Sequence, residues 1–76
     1  MKSINISLNS IDKVKSFVNI ITSYEGDFDL ASDRYVVDAK SIMGIFSLDL
    51  SKPVRLDIHD EKAIECLTGK LKNFIV

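Results

Sequence analysis

The residues able to carry chemistry in this chain are few. His59 is the only histidine and Cys66 the only cysteine among 76 residues, so neither a zinc site nor an internal disulfide can be assembled, since each needs two or more such groups at suitable spacing. Cys66 reads as a small apolar or half-exposed helix residue. Nucleophilic catalysis needs a hydroxyl, a base and a group that orients the base. A single histidine closing an alternating strand, on its solvent side, completes no such set. No glycine-rich phosphate loop is present. Two serines stand where helices are expected to begin, Ser10 and Ser41. A hydroxyl in that position accepts from backbone N–H groups of the first turn. The residues speak against an enzyme, a metal site or a cofactor and for a protein that acts by being recognised.

Periodicity supplies the elements that hold these residues. Ile4, Ile6 and Leu8 alternate with Ser3, Asn5 and Ser7, which predicts a strand over 2–8 with one buried face. From Ser10 the spacing changes. Ile11, Val14, Phe17, Val18 and Ile21 form a helical stripe, capped by Asn9 or Ser10, with Asp12 at the positive end and Gly26 as terminator. Phe28 and Leu30 alternate with Asp27 and Asp29, then Ser32 and Asp33 supply turn chemistry before Tyr35, Val36 and Val37, a hairpin pattern. Ser41 to Leu48 reads as a short helix capped by Ser41. Pro53 ends a turn, and Val54, Leu56 and Ile58 alternate with Arg55, Asp57 and His59 as a fourth strand. Asp60 caps a last helix with the stripe Ala63, Ile64, Leu67, Leu71 and Phe74. Gly69 lies off that stripe, at about 1 kcal/mol relative to alanine. The order β-α-β-β-α-β-α predicts an α+β domain of two layers, helices covering one side of an antiparallel sheet and water meeting the other.

Composition bounds the reading. A chain of 76 residues, 46% of them apolar, holds one core, so 1–76 is expected to be a single folded domain of modest stability without a staple. Nothing resembles a cleaved leader, and no stretch approaches the roughly 20 apolar residues that span a bilayer. A soluble cytoplasmic protein with no membrane role is expected. Ten basic against eleven acidic residues give a net charge of −1, and no Lys/Arg cluster is interleaved with aromatics, so direct nucleic-acid binding is not expected.

The stretch Lys40-Ser41-Ile42-Met43-Gly44-Ile45-Phe46-Ser47-Leu48 resembles the regulatory helix of the HPr family, the histidine-containing phosphocarrier proteins of the bacterial sugar phosphotransferase system. The resemblance runs from the first helix to Leu48 without a gap and continues more loosely into strand one and the last helix. It implies an HPr-like open-faced two-layer sandwich: a four-stranded antiparallel sheet of order 1-4-2-3 with three helices on one face. The family's phosphate-accepting histidine lies in a Gly-x-His-x-Arg-Pro motif at the start of the first helix. The matching stretch here is Asn9-Ser10-Ile11-Asp12-Lys13, with Ser10 at the histidine position, Asp12 at the arginine and Lys13 at the proline. Transfer between proteins uses imidazole as both nucleophile and leaving group, whereas a serine phosphate is a stable ester. A carboxylate in place of the guanidinium repels the phosphoryl group. In the sheet that the resemblance implies, His59 lies on the order of 15 Å from Ser10 and cannot stand in.

The resemblance implies two further roles. Ser41 matches the family's regulatory phosphoserine, although capping a short helix would explain it unaided. A phosphate there is expected to meet helix N–H groups, to be disfavoured by Asp12 and to be favoured by Lys13 and Lys15. Ile42, Met43 and Phe46 match the apolar surface that family members press against enzyme I, the kinase and the catabolite repressor, and helical spacing keeps all three from facing the core together. The chain is thus read as a regulatory docking module with Ser41 as a possible phosphorylation site. Its partners are proteins: a serine kinase, a transcriptional repressor or other phosphotransferase-system components. It resembles the catabolite-repression HPr-like proteins, which lack the histidine and keep the serine. The alternatives are a phosphocarrier component with an atypical site and a structural interaction paralogue.

Overall fold

The computed structural model describes residues 2–32 and 35–76. In chain order these form β1 (Lys2–Ile6), α1 (Ile11–Thr22), β2 (Phe28–Ser32), β3 (Tyr35–Asp38), α2 (Ile42–Phe46), β4 (Val54–Ile58) and α3 (Glu61–Lys70). The strands make one four-stranded antiparallel sheet of order β1-β4-β2-β3, the α+β architecture expected, with the helices on one face. Asp33, assigned to the hairpin turn, lies outside the described residues.

The sheet register explains which side chains are inside. β1 pairs with β4 from Lys2↔Ile58 to Ile6↔Val54, and β4 pairs with β2 through Phe28↔Ile58 and Leu30↔Leu56. Ile6, Leu56, Ile58, Phe28 and Leu30 are fully or almost fully buried, because strand alternation turns them together under the helices. Val14, Phe17 and Ile21 of α1 and Ala63 and Leu67 of α3 close the core from above. The opposite face carries Ser3, Asp57, Asp29 and Asp38 in one register row across all four strands.

Several boundaries differ from the sequence expectation for identifiable reasons. β1 stops at Ile6, two residues early, since its partner β4 starts at Val54 directly after Pro53, which has no N–H to donate. Leu8 is nevertheless wholly buried. α1 ends at Thr22, where the hydroxyls of Thr22 and Ser23 bond back to carbonyls of the last turn. Gly26 lies beyond it in the loop at φ +105°, a conformation that glycine adopts without strain. Ile11 is not part of the core stripe: at the first helical position it is 61% exposed. The short helix is five residues, narrower than Ser41 to Leu48. Leu71 and Phe74 are buried but follow the end of α3, and the Phe74 ring packs edge-on against Phe17 at 6.3 Å. Ser7 N then donates to Phe74 O, and Val76 N to Asn5 O, so the last residues cover part of the β1 edge.

Candidate functional site

Asp38 ends β3 and sets the turn into α2. Its backbone carbonyl accepts from Ser41 N at 3.0 Å and its carboxylate from Lys40 N at 2.9 Å. Ser41 is then the extended residue (φ −96°, ψ 104°) that starts the helix: its Oγ accepts from Gly44 N at 3.2 Å and its carbonyl from Ile45 N. This is the capping geometry expected of it. Gly44 fits closely here: a Cβ at that position would come within 3.2 Å of Val37 Cβ and 3.3 Å of Ser41 Oγ.

The exposed face of α2 is apolar. Met43 is 79% and Phe46 44% exposed, whereas Ile45 is fully buried and Ile42 is half-buried against the core. Two of the three expected docking residues therefore face solvent outright, and Ile42 divides its surface between core and rim. α1 packs beside α2, and its exposed Ile11 adds a further large apolar side chain on the helix layer. The 3.6-residue stripe predicts a core position for Ile11; what keeps it outside is its place in the first turn.

The start of α1 is a capped helix end. Ser10 is extended (φ −146°, ψ 156°), its Oγ accepts from Lys13 N at 3.1 Å and its carbonyl from Val14 N. Asp12 lies exposed in the first turn. Lys40, adjacent to Ser41, reaches the other end of the same helix: its Nζ donates to Tyr24 O at 2.8 Å and lies 5.5 Å from the centre of the Phe28 ring. α1 has 12 residues, so these two ends are roughly 18 Å apart along its axis. No described hydrogen bond joins Asp12 to Ser41. The cation tied in beside Ser41 is Lys40, from the turn itself, and the pairing was hidden in the sequence because Tyr24 lies 16 residues away.

His59 follows β4, and the register places it beyond the start of β1, whereas Ser10 lies beyond its end. It is exposed, and its Nε2 lies 2.8 Å from Asp29 Oδ2, a pairing that sequence alone did not suggest. A shallow cavity of about 460 Å³ is lined there by Asp27, Phe28, Asp29, Asp38 and His59. Asp57 beside it is buried on the sheet face away from the core. Burial pushes its carboxyl up, but hydrogen bonds from Ser3 Oγ at 2.7 Å and Arg55 Nε at 3.0 Å outweigh that and hold it below the usual carboxylate range. Among the described residues no cluster of histidine, cysteine or carboxylates could hold a metal ion. Neither capped serine is hydrogen-bonded to a base there, and Cys66 is exposed. No described helix is long and apolar enough to cross a membrane. The arrangement offers an exposed apolar helix face beside a serine hydroxyl, which suits binding.

The fold is shared with solved proteins. The chain is similar to the solved structure of HPr-C-His from Thermoanaerobacter tengcongensis, with 28% identity, a TM-score of 0.77 and coverage of 96% of this chain and 93% of that one. It is also similar to the phosphocarrier protein HPr from Bacillus anthracis str. Ames, with 28% identity, a TM-score of 0.65 and coverage of 91% and 92%. No family model matches the sequence, and no curated protein matches it.

Proposed function

The chain belongs to the HPr family, and from that premise we propose that it is a regulatory member which docks on other proteins through α2 and lacks the phosphocarrier histidine. Ser10 stands where the family places that histidine. Its hydroxyl caps α1 by accepting from Lys13 N, and a phosphate ester formed on it would not be a good donor for onward transfer. Asp12 beside it adds a negative charge where a transferring phosphoryl group needs a positive one.

The observation that carries the reading is the exposure of Met43 and Phe46, at 79% and 44%, on a helix that begins at Ser41. Exposed methionine and aromatic side chains are well suited to a protein contact, since the thioether adapts its shape and the ring buries a large area. In this reading the partners are phosphotransferase-system proteins, a serine kinase or a transcriptional repressor in the cytoplasm, and Ser41 is the switch. Its Oγ attacks the γ-phosphorus of ATP held by the kinase. An O–P bond forms as the bond to ADP breaks, and the hydroxyl proton passes to a base of the kinase. The ester adds close to two negative charges at the edge of the docking face.

Mass spectrometry after incubation with a bacterial HPr serine kinase and ATP, run beside Ser41→Ala, tests the switch. A single added phosphate in the parent and none in the variant is expected; unmodified protein in both overturns regulation at Ser41. A second reading is a carrier with an atypical site, favoured by the imidazole of His59 held 2.8 Å from Asp29. It requires a phosphate bonded to nitrogen, which acid releases.

A further inference from the structure

We propose that Lys40 is a relay: a phosphate on Ser41 draws the Lys40 ammonium off the carbonyl of Tyr24 and so loosens the loop between α1 and β2. The inference rests on phosphorylation of Ser41 and adds what the phosphate does inside the molecule.

α2 is only five residues long, so its dipole is small, and the Gly44 N–H is already engaged by Ser41 Oγ at 3.2 Å. Asp38 is negative, and its carboxylate holds Lys40 N. The adjacent cation is Lys40 itself, on a flexible four-carbon stem next in the chain to Ser41. In the unmodified protein its ammonium bonds a neutral carbonyl, Tyr24 O at 2.8 Å, and lies over the Phe28 ring. A charge-assisted bond to a phosphate dianion is about twice as strong as one to a neutral acceptor. Asp38 repels the phosphate and Lys40 attracts it, so the modification and the Tyr24 carbonyl compete for one ammonium.

Release has a defined target. The last turn of α1 contains no basic residue, and among the described residues Lys40 bonds the backbone just past its negative end, at Tyr24 O. The loop it ties down touches both ends of α3. Lys70 Nζ lies 5.4 Å from the centre of the Tyr24 ring, and Gly26, at φ +105°, lies so close to Asp60 that an added Cβ would be 3.2 Å from the Asp60 Cβ. Asp60 caps α3 by accepting from Lys62 N. A charge placed on α2 therefore has a physical route, through one side chain, to the loop and to α3.

Protein carrying phosphoserine at position 41, made with a genetically encoded phosphoserine, needs no kinase and separates this inference from the regulatory reading. The observable is the ¹⁵N shift of Glu25, whose N–H shares a peptide unit with the Tyr24 carbonyl. Phosphoserine is expected to move Glu25 and Gly26 in the same direction as Lys40→Met does in the unmodified chain, and phosphorylated Lys40→Met should show no further movement. Lys40→Gln is the second variant should methionine disturb folding, judged by unchanged amide shifts at Leu56 and Ile58. Unmoved Glu25 in the phosphorylated parent, or a movement that persists undiminished without the lysine, overturns the relay. If the coupling holds but no kinase modifies Ser41, the regulatory reading fails and the relay stands.

Discussion

Gly44 and Val37 stand so close that a Cβ on the glycine would be 3.2 Å from the valine Cβ, so a side chain there would crowd the seating of α2 on β3. An added methyl would also be 3.3 Å from Ser41 Oγ, crowding the cap from the other side. Alanine gains about 1 kcal/mol of helix propensity over glycine, and overpacking of a close contact costs about 1–3 kcal/mol. Gly44→Ala is therefore expected to destabilise the protein on balance and to shift amide signals of both Val37 and Ser41. A urea midpoint at or above that of the parent, with those signals unmoved, would show that the contact has slack.

Ser41 has a structural part whatever its regulatory one. Removing the hydroxyl frees the Gly44 N–H, which it holds at 3.2 Å, and loss of such a cap costs about 1 kcal/mol. Ser41→Ala should lower stability by that amount in urea and speed hydrogen exchange at Gly44, while Ser41→Asp, which keeps an acceptor, should recover most of it. Equal midpoints for all three proteins would mean the cap contributes nothing.

Asp57 gives the fold an acid limb. Its carboxyl is held below its unfolded value by Ser3 and Arg55 despite burial, so the folded state binds its proton less readily than the unfolded chain. The associated stability is fully present above the unfolded value of about 3.9 and is lost as pH falls through the lower, folded one. Asp57→Asn is expected to cost about 1–3 kcal/mol at pH 7 and to flatten the loss of stability below about pH 4. Denaturation at pH 7, 4 and 3 checks this; parallel curves for parent and variant would remove Asp57 from the account.

The element order and a one-sided antiparallel sheet were legible in the sequence because β1, β2 and β4 alternate and each long helix carries one stripe, as in Ile4-Ile6 and Val14-Phe17-Ile21, whereas the strand order 1-4-2-3 came from the resemblance to the HPr family. Ends were less legible. Where β1 stops is set by its partner strand and Pro53, not by its own alternation, which runs on to buried Leu8. Ile11 has the right spacing for the core yet lies in the first turn, exposed. At the site, the Ser41 cap could be read locally, since its partner is three residues on. The Lys40 to Tyr24 bond, the His59 to Asp29 pair and the Ser3 to Asp57 bond join residues 16, 30 and 54 positions apart, and nothing in local pattern encodes such pairs.

The docking face is open to a test that leaves the core alone. Met43 is exposed enough that its replacement should change stability by no more than about 0.5 kcal/mol, whereas Ile42 packs against the core and its truncation would confound binding with folding. A Met43→Ala, Phe46→Ala double variant is expected to weaken capture by the HPr serine kinase at least tenfold with little change in the thermal midpoint. Undiminished capture would move the contact surface elsewhere.

The most direct measurement of the central claim is incubation of the purified chain with phosphoenolpyruvate and enzyme I, followed by intact mass and acid treatment. With a serine capping α1 and His59 beyond the opposite end of β1, no acid-labile phosphate is predicted on the protein. An acid-labile adduct that passes on to a sugar permease would contradict the account and make this chain a carrier.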